Sequence, residues 1–105
     1  MLQVAEMPAT VMIPLQAFRI GDLGIAAAPC ELFAETGLEL KATTPFAKAF
    51  TLEIANGYFG YLPTPAQHKL GGYETWIGTN RLEVEASTKI VAAIQQMWAE
   101  LAAAK

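Results

Sequence analysis

Few residues in this chain have side chains that can act on a substrate. Histidine occurs once, as His68, and cysteine once, as Cys30. A single imidazole builds no His-rich zinc site. No Ser-His-Asp arrangement can be read from spacing, and there is no phosphate loop. Taken alone, the remaining residues offer little. Glu31, directly after Pro29-Cys30, stands where a helix is expected to begin and reads as an ordinary helix-start carboxylate, favoured by free N–H groups and the helix dipole. Tyr73, behind Gly71-Gly72, reads as a loop aromatic packed on the core. His68, five residues before Tyr73, reads as an exposed or capping histidine, or as a proton shuttle or ligand. Cys30 reads as a small buried hydrophobe, or as a thiolate whose pKa a helix N-terminus would lower. Trp76 either packs or lines a substrate mouth.

The elements that must position these groups are legible from pattern. Val11 to Ile20 reads as a strand, with Pro14 best placed at its start or on an edge. Gly21-Asp22 is a Gly-X hairpin connection. Leu23 to Ala28 returns as a nearly all-apolar strand, as expected of burial on both faces. Glu31 to about Lys41 reads as a helix, with Leu32, Phe33 and Leu40 inward, stopped by Thr43-Thr44-Pro45. Gly37 inside it would permit close packing against the sheet. Phe50, Leu52 and Ile54 alternate with Thr51 and Glu53, giving a third strand with one side wet or partnered. Asn56-Gly57 is a turn signal. Thr64 to Gly71 is a short helix with an N-cap, Pro65 at its first position and a glycine stop. Gly72 to Arg81 is a loop. From about Glu85 to Ala103, Ser87, Val91, Ile94, Trp98 and Leu101 follow the helical period, with Ile90 and Met97 beside them. The expected fold class is therefore α/β (α+β): a small sheet of three to four strands in the order β-β-α-β-α-α, with helices packed on it. Residues 1–10 form a lead-in and residues 11–103 a single domain.

Composition narrows the function classes. The 105 residues are 53% apolar and only 16% charged, with a formal net charge of −3. Mean hydropathy is +0.30. That is too apolar for a disordered chain, and it implies surface that expects cover from another chain or domain. Gly57-Tyr58-Phe59-Gly60-Tyr61 faintly resembles an aromatic RNA-stacking strand. An acidic chain without clustered Lys and Arg argues against nucleic acid. No apolar run reaches a membrane span, no secretion signal is visible, and no basic amphipathic helix points to a lipid surface.

Three segments, in order, carry a resemblance. They are Leu23-Gly24-Ile25-Ala26-Ala27-Ala28-Pro29-Cys30-Glu31, then Ala55-Asn56-Gly57-Tyr58 through Tyr61-Leu62-Pro63-Thr64, then Gly71-Gly72-Tyr73-Glu74. Together they resemble the later part of the catalytic domain of the neutral/alkaline ceramidase family, over roughly residues 11 to 103. The resemblance implies a zinc-dependent amidase acting on ceramide or another N-acyl lipid or amide. In that family a Pro-Gly-Glu supplies a glutamate ligand to zinc, and a downstream tyrosine supplies a second. The matching positions are Glu31 and Tyr73, while Cys30 stands where the family has glycine.

The family's two histidine ligands come from an earlier part of its chain that has no counterpart here. The chain is thus expected to hold half of a zinc site, too little to retain the metal or to be active alone, since protein zinc sites use three or four protein ligands. Its expected partner is the upstream catalytic portion. The alternative is a free-standing non-catalytic domain that self-associates through an apolar surface, in which a two-fold axis could bring two copies of His68 together.

Overall fold

The computed structural model describes residues 12–75 and 82–104. Among the described residues five strands and three α-helices follow in the order β1 (Gln16–Ile20), β2 (Leu23–Ala27), β3 (Glu31–Leu32), α1 (Ala34–Thr43), β4 (Lys48–Leu52), β5 (Tyr61–Leu62), α2 (Pro65–Leu70) and α3 (Ala86–Ala103). The main sheet has the order β1-β2-β4, and β3 and β5 form a separate two-stranded ladder. This is the expected mixed α/β content on a small sheet, with two further strands of two residues each.

β1 and β2 are an antiparallel hairpin in which Ile20 opposes Leu23. Gly21 occupies the first turn position at φ +59°, the backbone a Gly-X turn requires. β1 starts later than expected, at Gln16, because Pro14 offers no N–H to a ladder. Val11 lies outside the described residues. β2 is the central strand and pairs in parallel with β4, Ile25 opposite Phe50 and Ala27 opposite Leu52. The α1 crossover makes that parallel pairing attainable.

One sheet face carries Ala17, Arg19, Gly24, Ala26, Ala49 and Thr51, and the helices cover it. Trp98 and Leu40 are fully buried there, and Phe46 meets Trp98 edge-on at 6.3 Å. The indole Nε1 donates to the Ile25 carbonyl at 3.2 Å. Small residues on β2 are what let rings of this size sit close to the backbone. α3 buries Ala86, Ser87, Ile90, Val91, Ile94 and Trp98, with Met97 and Leu101 packed alongside, as its period predicted.

α3 has no basic residue in its own last turn. Arg19 supplies one from β1. Its Nη1 donates to the Leu101 carbonyl at 3.0 Å and the Ala104 carbonyl at 3.3 Å, and its guanidinium lies 5.5 Å from the Phe46 ring centre. The cation offsets the negative end of the helix dipole and donates to carbonyls at the helix's C-terminal end.

The expected start of α1 at Glu31 is corrected to Ala34. Glu31 N–H donates to the Gly60 carbonyl at 2.9 Å and Leu32 N–H to the Glu53 Oε2 at 3.1 Å. These amides are drawn into extended pairing. The helix begins beyond them, at an N-cap Phe33 whose side chain makes no capping bond. It ends at an extended Thr44, the conformation that the following Pro45 imposes. Among the described residues no helix is long and apolar enough to cross a membrane.

Candidate functional site

The parallel strands β2 and β4 end side by side, and the chain leaving each runs into the same region. From β2 it passes through Ala28-Pro29-Cys30 to β3. From β4 it passes through Glu53 to Gly60 and enters β5. Backbone bonds stitch the two paths together. Ala28 N–H donates to the Leu52 carbonyl at 3.1 Å and Ala55 N–H to the Ala28 carbonyl at 3.0 Å. Ile54 N–H reaches the Cys30 carbonyl at 3.1 Å and Phe59 N–H the Pro29 carbonyl at 2.7 Å. The path needs left-handed backbone at Ile54 (φ +51°) and Asn56 (φ +66°). Asn56 tolerates this. A β-branched residue does not do so freely.

Glu31 sits at the centre of this junction, half-buried and paired with Tyr61 in the β3–β5 ladder. The Tyr58 hydroxyl donates to its Oε2 at 2.8 Å. A backbone fixed in a ladder and an oxygen held by a phenol give the carboxylate a defined direction. This is the support an outer-shell donor gives a metal-ligating carboxylate. In the sequence Tyr58 stands only within the Ala55-Asn56-Gly57-Tyr58 motif. Its bond to Glu31 depends on a long-range pairing that spacing does not show.

Past β5, Thr64 caps α2 by accepting from Gln67 N–H at 3.2 Å. Gly71 ends that helix at φ +79°, as expected from its punctuation. A 3₁₀ turn, Tyr73–Thr75, follows and packs against β5. Its backbone is tied down by Thr75, whose N–H and Oγ1 both donate to the Gly72 carbonyl, at 3.0 and 2.8 Å. The three segments that carry the family resemblance therefore meet: β3 holds Glu31, β5 pairs with β3, and the turn containing Tyr73 packs on β5. The Tyr73 side chain lies outside the described residues, as do Trp76, Asn80 and Arg81.

The other candidates fall in different places. His68 lies in α2 and is half-buried. Cys30 is completely buried within the main hydrophobic cluster. Burial first, and then the negative charge of Glu53, push its thiol from 9.0 up to about 12. Cys30 precedes a strand rather than a helix, so the dipole that was expected to favour a thiolate is absent. Its side chain behaves as a small hydrophobe.

Among the described residues no group of three or more His, Cys, Asp and Glu side chains could hold a metal ion. Glu31 fits a metal carboxylate in chemistry and anchoring, as one ligand among others that the described residues do not provide. No family model matches the chain, and no match is found among curated proteins or among solved structures.

Proposed function

We propose that this chain is the C-terminal part of a ceramidase-like, zinc-dependent N-acyl hydrolase, contributing Glu31 and Tyr73 to its metal site. The observation that carries the reading is that the three motif segments, separated in sequence, join through β5: β3, which holds Glu31, pairs with it, and the turn containing Tyr73 packs on it. The location supports it too. In open α/β sheets, ligands bind beyond the carboxyl ends of parallel strands, and Glu31 lies just past the ends of the parallel pair β2–β4. Zinc, when bound, would polarise an amide carbonyl or activate an attacking oxygen. The part of this chain is to hold one carboxylate and one phenol in place. Tyr58 fixes the direction of Glu31 through its hydroxyl, and the β3–β5 ladder fixes its depth. The histidine ligands come from a separate upstream portion, and the chain alone neither retains zinc nor hydrolyses amides.

Complementation tests this. The chain is co-expressed with the upstream portion of a ceramidase-like hydrolase from which the corresponding C-terminal segment has been deleted. Zinc content and hydrolysis of a fluorogenic N-acyl amide are then measured. Activity and about one zinc per complex are expected with the wild-type chain, and neither with Glu31→Ala or Tyr73→Phe. Equal activity with Glu31→Ala would overturn the assignment. So would stoichiometric zinc on the chain alone, because the site would then be complete without an upstream half.

A further inference from the structure

Asparagine occurs twice in the chain, as Asn56 before Gly57 and as Asn80 before Arg81. Asn56-Gly57 lies in the path from β4 to β5, and both residues are exposed. Asn56 has left-handed backbone at φ +66°, and Gly57 follows at φ +146°, a value that L side chains rarely adopt. Among the described residues the Gly57 N–H donates to no hydrogen bond. A Cβ built on Gly57 would meet only side-chain atoms of Pro29 and Phe59, at 3.5 and 3.6 Å, so nothing crowds the 56–57 peptide. The Asn56 Nδ2 donates to Gln16 Oε1 at 2.7 Å. That bond joins two exposed side chains, so it restrains the amide without shielding it from water.

We propose that Asn56 is a site of spontaneous deamidation, at which an isoaspartyl link forms in the loop that carries Tyr58. The Gly57 nitrogen attacks Asn56 Cγ. The N–Cγ bond forms, the Cγ–Nδ2 bond breaks, and the peptide proton leaves with Nδ2 as ammonia. Water then opens the cyclic succinimide at one of its two carbonyls. Opening at Cγ gives an aspartyl residue, and opening at the main-chain carbonyl gives an isoaspartyl one. No reactant besides water is consumed. Glycine favours ring closure because it has no Cβ to obstruct the approach of its nitrogen and rotates freely. Asn80 precedes a residue with a Cβ, which hinders the same step.

The stitching of the loop decides what the change does. Ala55 N–H is held by the Ala28 carbonyl at 3.0 Å and Phe59 N–H by the Pro29 carbonyl at 2.7 Å. Between these anchors lie residues 56–58, and the Tyr58 hydroxyl donates to Glu31 Oε2 at 2.8 Å. An aspartyl product leaves the main chain as it was. Its carboxylate accepts from Gln16 once that amide turns over, so the surface contact is replaced. An isoaspartyl product routes the main chain through Cβ, adding one atom between the two anchors. The bonds of Ala55 and Phe59 are then strained, and Tyr58 moves off Glu31. The modification needs no zinc and does not rest on the hydrolase reading.

The experiment ages the full 105-residue chain in metal-free buffer and maps it by peptide mass spectrometry. An amide nitrogen attacks only after losing its proton, so the reaction should run faster at about pH 8 than at about pH 6. The peptide containing Asn56 should gain about 1 Da as ammonia is replaced by water, at least ~10-fold faster than the one containing Asn80. Each product adds one negative charge to the formal net charge of −3, so anion exchange separates it from the parent. In the isolated isoaspartyl form, amide exchange at Ala55 and Phe59 should quicken at least ~10-fold. Asn56→Asp carries the same charge on an ordinary main chain and should exchange as wild type. No mass gain at Asn56 in the folded chain would overturn the proposal. So would an equal gain at Asn80, or an isoaspartyl form whose exchange matches that of Asn56→Asp.

Discussion

Gly24 is the position where the packing argument is most exposed to test. It is the second residue of β2, with no positive φ to require glycine. A Cβ built there would sit 2.5 Å from Phe46 Cδ2, 3.1 Å from Phe46 Cε2 and 3.2 Å from Trp98 Cε2. Both rings are buried, and Trp98 is tied to the backbone through Nε1, so neither has a cheap route away. Gly24→Ala should therefore destabilise by about 1–3 kcal/mol through overpacking. At about 4–8 °C per kcal/mol for a chain of this size, the Tm falls by roughly 5–20 °C. Gly37→Ala is the internal control. Gly37 is in α1, and its added Cβ meets only Thr51 Oγ1, at 3.6 Å. The helix propensity of alanine should then raise stability by about 0.5–1 kcal/mol. Urea unfolding followed by circular dichroism measures both. A Gly24→Ala/Phe46→Leu double variant tests the cause: relief of the clash should make the double change cost at least ~1 kcal/mol less than the sum of the single ones. If Gly24→Ala lies within ~0.5 kcal/mol of wild type, or the pair is additive, the account of how α3 and Phe46 seat on β2 is wrong.

Four further outcomes are expected. Trp98→Phe should cost about 2–3 kcal/mol, because it leaves the Ile25 carbonyl without its indole donor and opens space in the core; urea unfolding checks it. Arg19→Met keeps the stem and removes the cation from the end of α3; a loss of about 0.5–1 kcal/mol, with faster amide exchange in the last turn of α3, is expected. Ile54→Asn should stabilise by about 1 kcal/mol by relieving a β-branched side chain from left-handed backbone. Cys30 gives a pH signature. Its thiol is raised in the folded state, so above about pH 9 the unfolded chain loses a proton that the folded chain keeps. Stability should be intact below that pH and fall as pH rises towards 12. Cys30→Ala should flatten this slope, and native Cys30 should react with a thiol reagent only as fast as the chain opens.

The parts of the fold governed by local pattern were legible in the sequence. The Gly21-Asp22 turn, the punctuation of α2, the Thr44-Pro45 stop and the buried stripe of α3 each depend on residues within a few positions of one another. The start of α1 was not legible. Pro29 to Thr36 satisfies a helix start locally, and only the pairing of Glu31 with Tyr61, thirty residues on, removes Glu31 from it. The bond between Tyr58 and Glu31 was hidden for the same reason. The direction of β4 was half legible. Alternation showed that its two faces differ, but period alone does not say which face meets the helices. That choice is made by Phe46 and Trp98, whose bulk requires the small residues of β2 and β4 beneath them.

The place of Glu31 in a strand rather than at a helix start bears on how a ligand could be held there. A carboxylate in the first turn of a helix owes its direction to free N–H groups and a dipole, both weakened by solvent. In β3 the Glu31 N–H is already spent on Gly60, and the direction of the carboxylate comes from the ladder and from Tyr58. The two designs respond differently to substitution. At a helix start, Tyr58→Phe would be silent. In the ladder, it frees one carboxylate oxygen and lets the side chain change rotamer. In the complemented enzyme this substitution should therefore weaken zinc binding about 10–100-fold, the range for loss of an outer-shell partner, with the folded structure retained. An unchanged zinc affinity in Tyr58→Phe would show that the hydroxyl has no part in orienting Glu31, even if Glu31 itself proves to be a ligand.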